Sequence, residues 1–398
     1  MKIIHTSDWH LGHTLYGYDR TDEFLDFFRQ LKEIAIAEQP DALLVSGDIF
    51  DVSTPPVTWV KMFTDYILEL HEDIPGMKII ITSGNHDSSS RIDVNRELWK
   101  YAGIHVIGCV KRENGVYDFT NNIIEIPEKG YVVAIPYINR AFMPRDEKDG
   151  SQEKLFFNNI AAKITEIDKQ ELPVILMAHL TVDGSDLTGH RQSILGNINS
   201  VGIDTFDSGF DYVALGHIHR AQTLDDRNRI RYSGSPLSIS FDENYIHSVS
   251  IVNVESGKDP IVREKEIVPI RKLKTFPEEG TTFSKAIKAL KKYPAADNSY
   301  IRLNICDELD LPSDCQEQAI AATQDKACRF CLIKYTPIST NLSDDLSTDF
   351  NATDFKEMNP REIADRFFRV SGVSEELSKD YISLLETLIE EYGIESNK

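Results

Sequence analysis

MKIIHTSDWHLG, residues 1–12, sets a short apolar run directly against an aspartate and a histidine. Lys2–Ser7 (KIIHTS) predicts a buried strand, and Asp8-Trp9-His10 follows at its end. The same arrangement recurs along the chain. Ala42–Ser46 (ALLVS) leads into Gly47-Asp48, and Lys78–Thr82 (KIIIT) leads into Gly84-Asn85-His86-Asp87. Pro173–Ala178 runs into His179, and Tyr212–Leu215 runs into Gly216-His217-Ile218-His219. Helical spacing fills the gaps, with apolar positions at Phe24, Phe27, Phe28, Leu31, Ile34 and Ala35 in Asp22–Glu38, and a second helix over Val57–His71. Near-continuous apolar strands separated by helices predict an α/β sheet covered on both faces. Sites in such sheets form beyond the carboxyl ends of the strands, so all five endings point to one rim. Arg229–Ser233, His247–Val254 and Val262–Val268 have no helices between them and predict antiparallel additions or a second sheet.

The residue types at those endings are metal-ligand types: Asp8, His10, Asp48, Asn85, His179, His217 and His219. Mixed carboxylate and imidazole ligands suit Mn²⁺, Fe or Zn²⁺ better than Mg²⁺ or Ca²⁺. Seven are too many for one ion and suit two divalent ions that share a carboxylate and act on a phosphate. Gly47, Gly84 and Gly216 are expected to let the backbone turn sharply at the strand ends. A lone aspartate at a strand end reads as a turn or helix cap. Five such endings in one chain do not.

In their order, D-x-H, G-D, G-N-H-D, a lone H and G-H-x-H resemble the calcineurin-like metallophosphoesterases across the first ~270 residues. TSDWHLG, SGDIFD, TSGNHD and ALGHIHR are similar to that family's SbcD subgroup, bacterial relatives of the double-strand-break repair nucleases. The resemblance implies a two-sheet sandwich flanked by helices. It implies one manganese ion on Asp8, His10 and His219, a second on Asn85, His179 and His217, and Asp48 as the bridge. His86 would stay off the metals and act on the transition state or leaving oxygen, with Asp87 accepting a hydrogen bond to orient it. The implied activity is cleavage of DNA, as a 3′–5′ exonuclease on duplex ends and an endonuclease on single strands and hairpins, in repair, replication and recombination. The implied partners are an SbcC-type ATPase, in a heterotetramer, and a second copy of the chain, with Val57–His71 as a candidate surface. No Walker motif is present, so no nucleotide is expected on this chain. A small-molecule phosphodiesterase or phosphoprotein phosphatase, and a non-catalytic metal-binding scaffold, are the alternatives.

Beyond the nuclease domain (residues 1–270) the sequence predicts a small α+β capping domain that binds DNA (271–336). A polar linker (337–353) and a helix-loop-helix tail (354–398) follow. The tail's apolar positions, with Phe367, Phe368, Leu384 and Leu388 as anchors, suit a partner's coiled coil. Residues 335–398 hold 14 acidic and 6 basic side chains, a net of −8, within a chain of net charge −21. That balance argues against nonspecific DNA coating by this chain alone. DNA contacts are expected instead from single residues beside the motifs: His13, Tyr16, Arg20, Arg91, His190 and Arg220. Trp9 is read as packing, and His5, His71, His105 and His247 as ordinary core or surface residues. Cys328 and Cys331 have no second cysteine pair and read as small buried thiols. No run approaches the ~18 apolar residues of a membrane span, and the start lacks a signal-peptide core, so a soluble cytoplasmic protein is expected.

Overall fold

The computed structural model describes residues 1–113, 116–139, 152–168, 170–189, 200–206, 209–308, 310–338 and 381–382. Met1–Pro337 form one compact unit and Ile338–Lys398 a second. The expected linker and tail, with Phe367, Phe368, Leu384 and Leu388, lie outside the described residues, as does His190.

Two six-stranded sheets carry the first unit. In one, the parallel strands Lys2–Thr6, Ala42–Ser46, Lys78–Thr82 and Ile104–Ile107 lie side by side, and Ser248–Asn253 and Ile261–Glu266 extend the edge antiparallel. In the other, Gly130–Ala134, Val174–His179, Tyr212–Gly216 and Ile230–Tyr232 are parallel. Ile123–Ile126 and Gln222–Thr223 close its two edges antiparallel. Of the two expected outcomes, antiparallel addition holds for Ser248–Asn253 and Ile261–Glu266, and membership of a second sheet holds for Ile230–Tyr232, which pairs in parallel with Tyr212–Gly216.

Strand side chains alternate between two cores. Ala42, Leu44, Ile80, Ile175, Met177 and Ala214 fill the space between the sheets. Leu43, Val45, Ile79 and Ile81 face outward onto the helices Thr21–Glu38 and Val57–Asp73. Leu176, Val213 and Leu215 face Phe156, Phe157 and Ile160 of the helix Gln152–Ile167. The sheet strands thus run almost wholly apolar because both of their faces are buried. One cross-sheet bond, Ser46 Oγ to the Ala214 carbonyl at 3.0 Å, ties the two layers next to the motif ends.

Residues 271–337 add a third sheet of three parallel strands, Leu273–Thr281, Tyr300–Asp307 and Arg329–Pro337. The helices Phe283–Lys291 and Cys315–Thr323 cover one face with a core of their own. The other face packs Tyr300 against Leu15 and Phe241. The Tyr300 hydroxyl donates to Glu23 at 2.5 Å, and Arg329 lies over the rings of Tyr18 and Tyr300. Arg302 stacks on Phe241 and pairs with Asp242 at 2.7 Å. Among the described residues no helix is long and apolar enough to cross a membrane.

Candidate metal centre

Parallel register places the strand ends together: Ser46 pairs with Thr82 in one sheet, and His179 with Gly216 in the other. The chain then turns through a backbone that ordinary residues avoid. Asp8, His10, Asp48 and His217 have φ of 53°, 47°, 49° and 102°. Non-glycine residues held at positive φ cost on the order of 1–3 kcal/mol each, and such strain concentrates at functional sites. The glycines serve two different needs. Gly47 (φ 85°) sits in the left-handed region and also lacks room, since a Cβ would lie 2.2 Å from His179 Nδ1, whereas Gly84 and Gly216 are required for room alone. A Cβ on Gly84 would lie 2.1 Å from Asp48 Oδ1, and one on Gly216 would lie 1.8 Å from the Ser46 carbonyl.

All seven expected ligand residues meet there, and six of them are almost wholly buried, none more than 7% exposed. His10 Nε2 and His219 Nε2 lie 3.3 Å apart, and Asp8, His10 and His219 form a group whose ligand atoms could hold one cation. Asp48, His179 and His217 form another, with His179 Nε2 3.3 Å from Asp48 Oδ2. Asn85 Oδ1 joins that second group, 3.0 Å from His179 Nε2 and 2.9 Å from His217 Nδ1. Asp48 lies between the groups, since His10 Nε2 is 3.8 Å from the same Oδ2. A further grouping brings His86 within reach of His10 and Asp48.

Backbone amides hold the two carboxylates. The His86 amide donates to Asp48 Oδ1 at 2.8 Å, and the His217 amide donates to both oxygens of Asp8 at 3.0 and 3.1 Å. Burial works against the Asp48 charge, yet the imidazoles of His179 and His10 outweigh it and hold the carboxyl below its usual range. Burial likewise opposes the His179 cation, but the Asp48 charge and hydrogen bond lift it to about 9. Burial drives His10 well below its ordinary value. Buried carboxylates and imidazoles packed this closely are costly without a cation to pair with. The donor set fits two divalent ions sharing Asp48.

His86 is half-buried at the mouth of the cluster, its ring 4.9 Å from that of His10. Its Nδ1 donates to the Asp51 carbonyl at 2.9 Å. The expectation that Asp87 accepts this bond is therefore corrected. Asp87 instead receives the amides of Ile49, Phe50 and Gly84, at 3.0, 3.0 and 2.8 Å, and so clasps two motif turns together. Burial, then the nearby Asp48 charge, pushes its carboxyl up to about 6.

Among the expected DNA contacts, Arg20 is corrected outright. It is 2% exposed, pairs with Glu23 and donates to the Ser238 carbonyl at 2.8 Å. Arg220 pairs with Asp186 and lies over Tyr245. Tyr16 is exposed with its ring near Phe241, His13 is half-buried, and Arg91 is exposed on the wall of a 260 Å³ cavity with Phe50 and Ser88. Trp9 packs among Phe27, Phe28, Phe63 and Tyr66.

Two acidic residues behind the cluster escaped the sequence reading. Asp51 Oδ1 lies 3.6 Å from His10 Nδ1, and Glu243 Oε1 lies 3.7 Å from His219 Nδ1. Asp51 stands inside the SGDIFD motif, three residues after Asp48. Glu243, in FDENYIHS, carries no motif signal at all.

A profile of the calcineurin-like phosphoesterase family matches residues 1–221, more than half the chain, and the chain belongs to that family of metal-dependent phosphoester hydrolases. Its relatives narrow the resemblance. The SbcD subunit of the SbcCD nuclease of Rhodobacter capsulatus is 34% identical over 276 residues, covering 65% of this chain and 68% of that protein. The proteins of the same name from Bacillus subtilis and Escherichia coli K12 are 34% and 30% identical. They align over 66% and 64% of this chain, and over 69% and 66% of their own lengths. A solved dimetal phosphatase from Danio rerio overlaps 67% of this chain and 96% of its own, with a TM-score of 0.40 at 11% identity.

Proposed function

We propose that this chain is the nuclease subunit of an SbcCD-type complex, hydrolysing DNA phosphodiester bonds at a pair of manganese ions. The observation that carries the reading is the meeting of Asp8, His10, Asp48, Asn85, His179, His217 and His219 at one rim. Asp8, His10 and His219 would hold one ion, Asn85, His179 and His217 the other, and Asp48 would touch both. Two such ions supply the acidity that activates a water and the charge that offsets the pentacoordinate phosphorus. The chain's own contribution is placement. The amides of His86 and His217 fix the carboxylates, and the bond from His86 Nδ1 to Asp51 fixes the ring. A carbonyl can only accept, so Nδ1 keeps its proton and Nε2 is the nitrogen left for the substrate, which would give a proton to a leaving oxygen from the doubly protonated ring and return to the Nδ1–H form.

Exonuclease action on duplex ends and endonuclease action on hairpins, for repair and recombination in the cytoplasm, belong to this proposal. So do residues 1–270 as catalytic body, 271–336 as a DNA-binding cap, and residues beyond 354 as the dock for an SbcC-type ATPase. Likewise included are pairing with a second copy and assembly into a heterotetramer. The names of the aligned relatives and the extra sheet favour this over a free-standing phosphatase. With net charge −21, the isolated chain should bind DNA weakly and gain affinity with its partner.

The test is manganese-dependent cleavage of a hairpin DNA by the chain with its ATPase partner. His86→Ala is expected to retain both ions and lose roughly 10²–10⁴-fold in rate, the span of one general acid. Turnover of a generic nitrophenyl phosphodiester without any cutting of DNA would move the reading to a small-molecule phosphodiesterase.

A further inference from the structure

We propose that Glu243 is a positioning residue for the metal centre: it fixes the tautomer and direction of His219 and so sets the affinity of the ion held by Asp8, His10 and His219. The proposal rests on the two-metal reading above.

Glu243 lies in the segment between the GHIH motif and the strand Ser248–Asn253, 24 residues after His219. Its carboxylate is fully buried, with 0% of the side chain exposed. A buried carboxylate calls for cationic partners or donors. Among the described residues, those within ion-pair distance are both imidazoles: His219 Nδ1 at 3.7 Å and His247 Nε2 at 3.4 Å. The Ile239 amide donates to Oε2 at 3.0 Å and holds that oxygen in place. Oε1 is left facing His219.

His219 can bind a cation through Nε2 only when that nitrogen is unprotonated, which puts the proton on Nδ1. Nε2 is the atom that points at His10 Nε2, 3.3 Å away. Nδ1 points outward at Glu243. A carboxylate behind Nδ1 stabilises that tautomer and raises the basicity of the ligating nitrogen. His247 does not compete for this role. Its Nδ1 donates to the Ser235 carbonyl at 2.7 Å and its Nε2 meets the Ser238 hydroxyl at 2.8 Å, so both of its nitrogens are engaged within the loop.

The loop holding Glu243 is anchored from outside the sandwich. Arg302 of the small sheet stacks on Phe241 and pairs with Asp242. Arg20 donates to the Ser238 carbonyl at the loop's other end. Gly189 completes the seat, since a Cβ there would lie 2.7 Å from Glu243 Cγ.

The test is a manganese titration of the full-length chain, followed by calorimetry and by low-temperature electron paramagnetic resonance. The native chain is expected to bind two ions with an exchange-coupled signal. Glu243→Gln, which keeps shape and the Ile239 contact, should bind one ion at native affinity and the other about 10- to 100-fold more weakly. Its first equivalent of manganese should give an isolated six-line spectrum. His247→Gln should keep both native affinities, which separates positioning from loop packing. Native affinities in Glu243→Gln, or equal weakening in both variants, would overturn the proposal alone. A native chain that binds no manganese would overturn the two-metal reading along with it.

Discussion

The two halves of the metal centre are built alike in front and differently behind. Asp8, His10 and His219 present a carboxylate and two imidazoles, and carboxylates stand behind both rings, Asp51 behind His10 and Glu243 behind His219. Asn85, His179 and His217 present a neutral amide and two imidazoles, and behind His179 stands the Ser46 carbonyl at 2.9 Å. Asp51 and Glu243 thus add carboxylates behind the imidazoles of the first half, beside the Asp48 that both halves share. Ligand charge count tunes affinity for a divalent cation. With two ions bound as proposed, the first half is therefore expected to hold the tighter one and the second the one more readily exchanged.

Asp48→Ala breaks the comparison by removing the residue common to both halves. Both ions and all DNA cleavage are expected to be lost, read by calorimetry and by the hairpin assay. Retention of either activity or paired manganese would show that the halves are independent. Asn85→Asp sharpens the comparison, since it adds one charge to the poorer half without changing its shape. The weaker of the two manganese affinities should rise about tenfold, while the tighter one stays put. Tyr300→Phe is the control at the small-sheet interface. Loss of its bond to Glu23 should lower unfolding stability by about 1 kcal/mol in a denaturant titration, with both metal affinities unmoved.

Local sequence carried much of this architecture. Ala42–Ser46 and Lys78–Thr82 begin and end where periodicity places them. Strands buried on both faces leave a continuous apolar run, and the polar residue that breaks the run marks the rim. That is why Asp48 and His179 are legible as rim residues from residue order alone. What depends on pairing was less legible. The parallel register of Ile230–Tyr232 is set by its neighbour Tyr212–Gly216, and the stretch Arg229–Ser233 has no pattern that distinguishes the two directions. Arg20 looks like a loop cation in sequence, and only its burial against Glu23 and Ser238 shows otherwise. Asp87 illustrates a subtler miss. Its place after His86 suggests a side-chain partnership, whereas its oxygens satisfy three amides and the Asp51 main chain takes the imidazole. A carbonyl contact of that kind is invisible to residue type, because every residue has one.

The grip of Arg302 on Phe241 and Asp242 has a mechanical consequence. Asp242 adjoins Glu243 along the chain, and Glu243 faces His219. A displacement of the three-stranded sheet thus has a path of one peptide bond and one carboxylate to an imidazole in the catalytic rim. The outer sheet reaches the innermost chemistry by a short route through Arg302, Asp242 and Glu243, alongside the Tyr300 bond to Glu23.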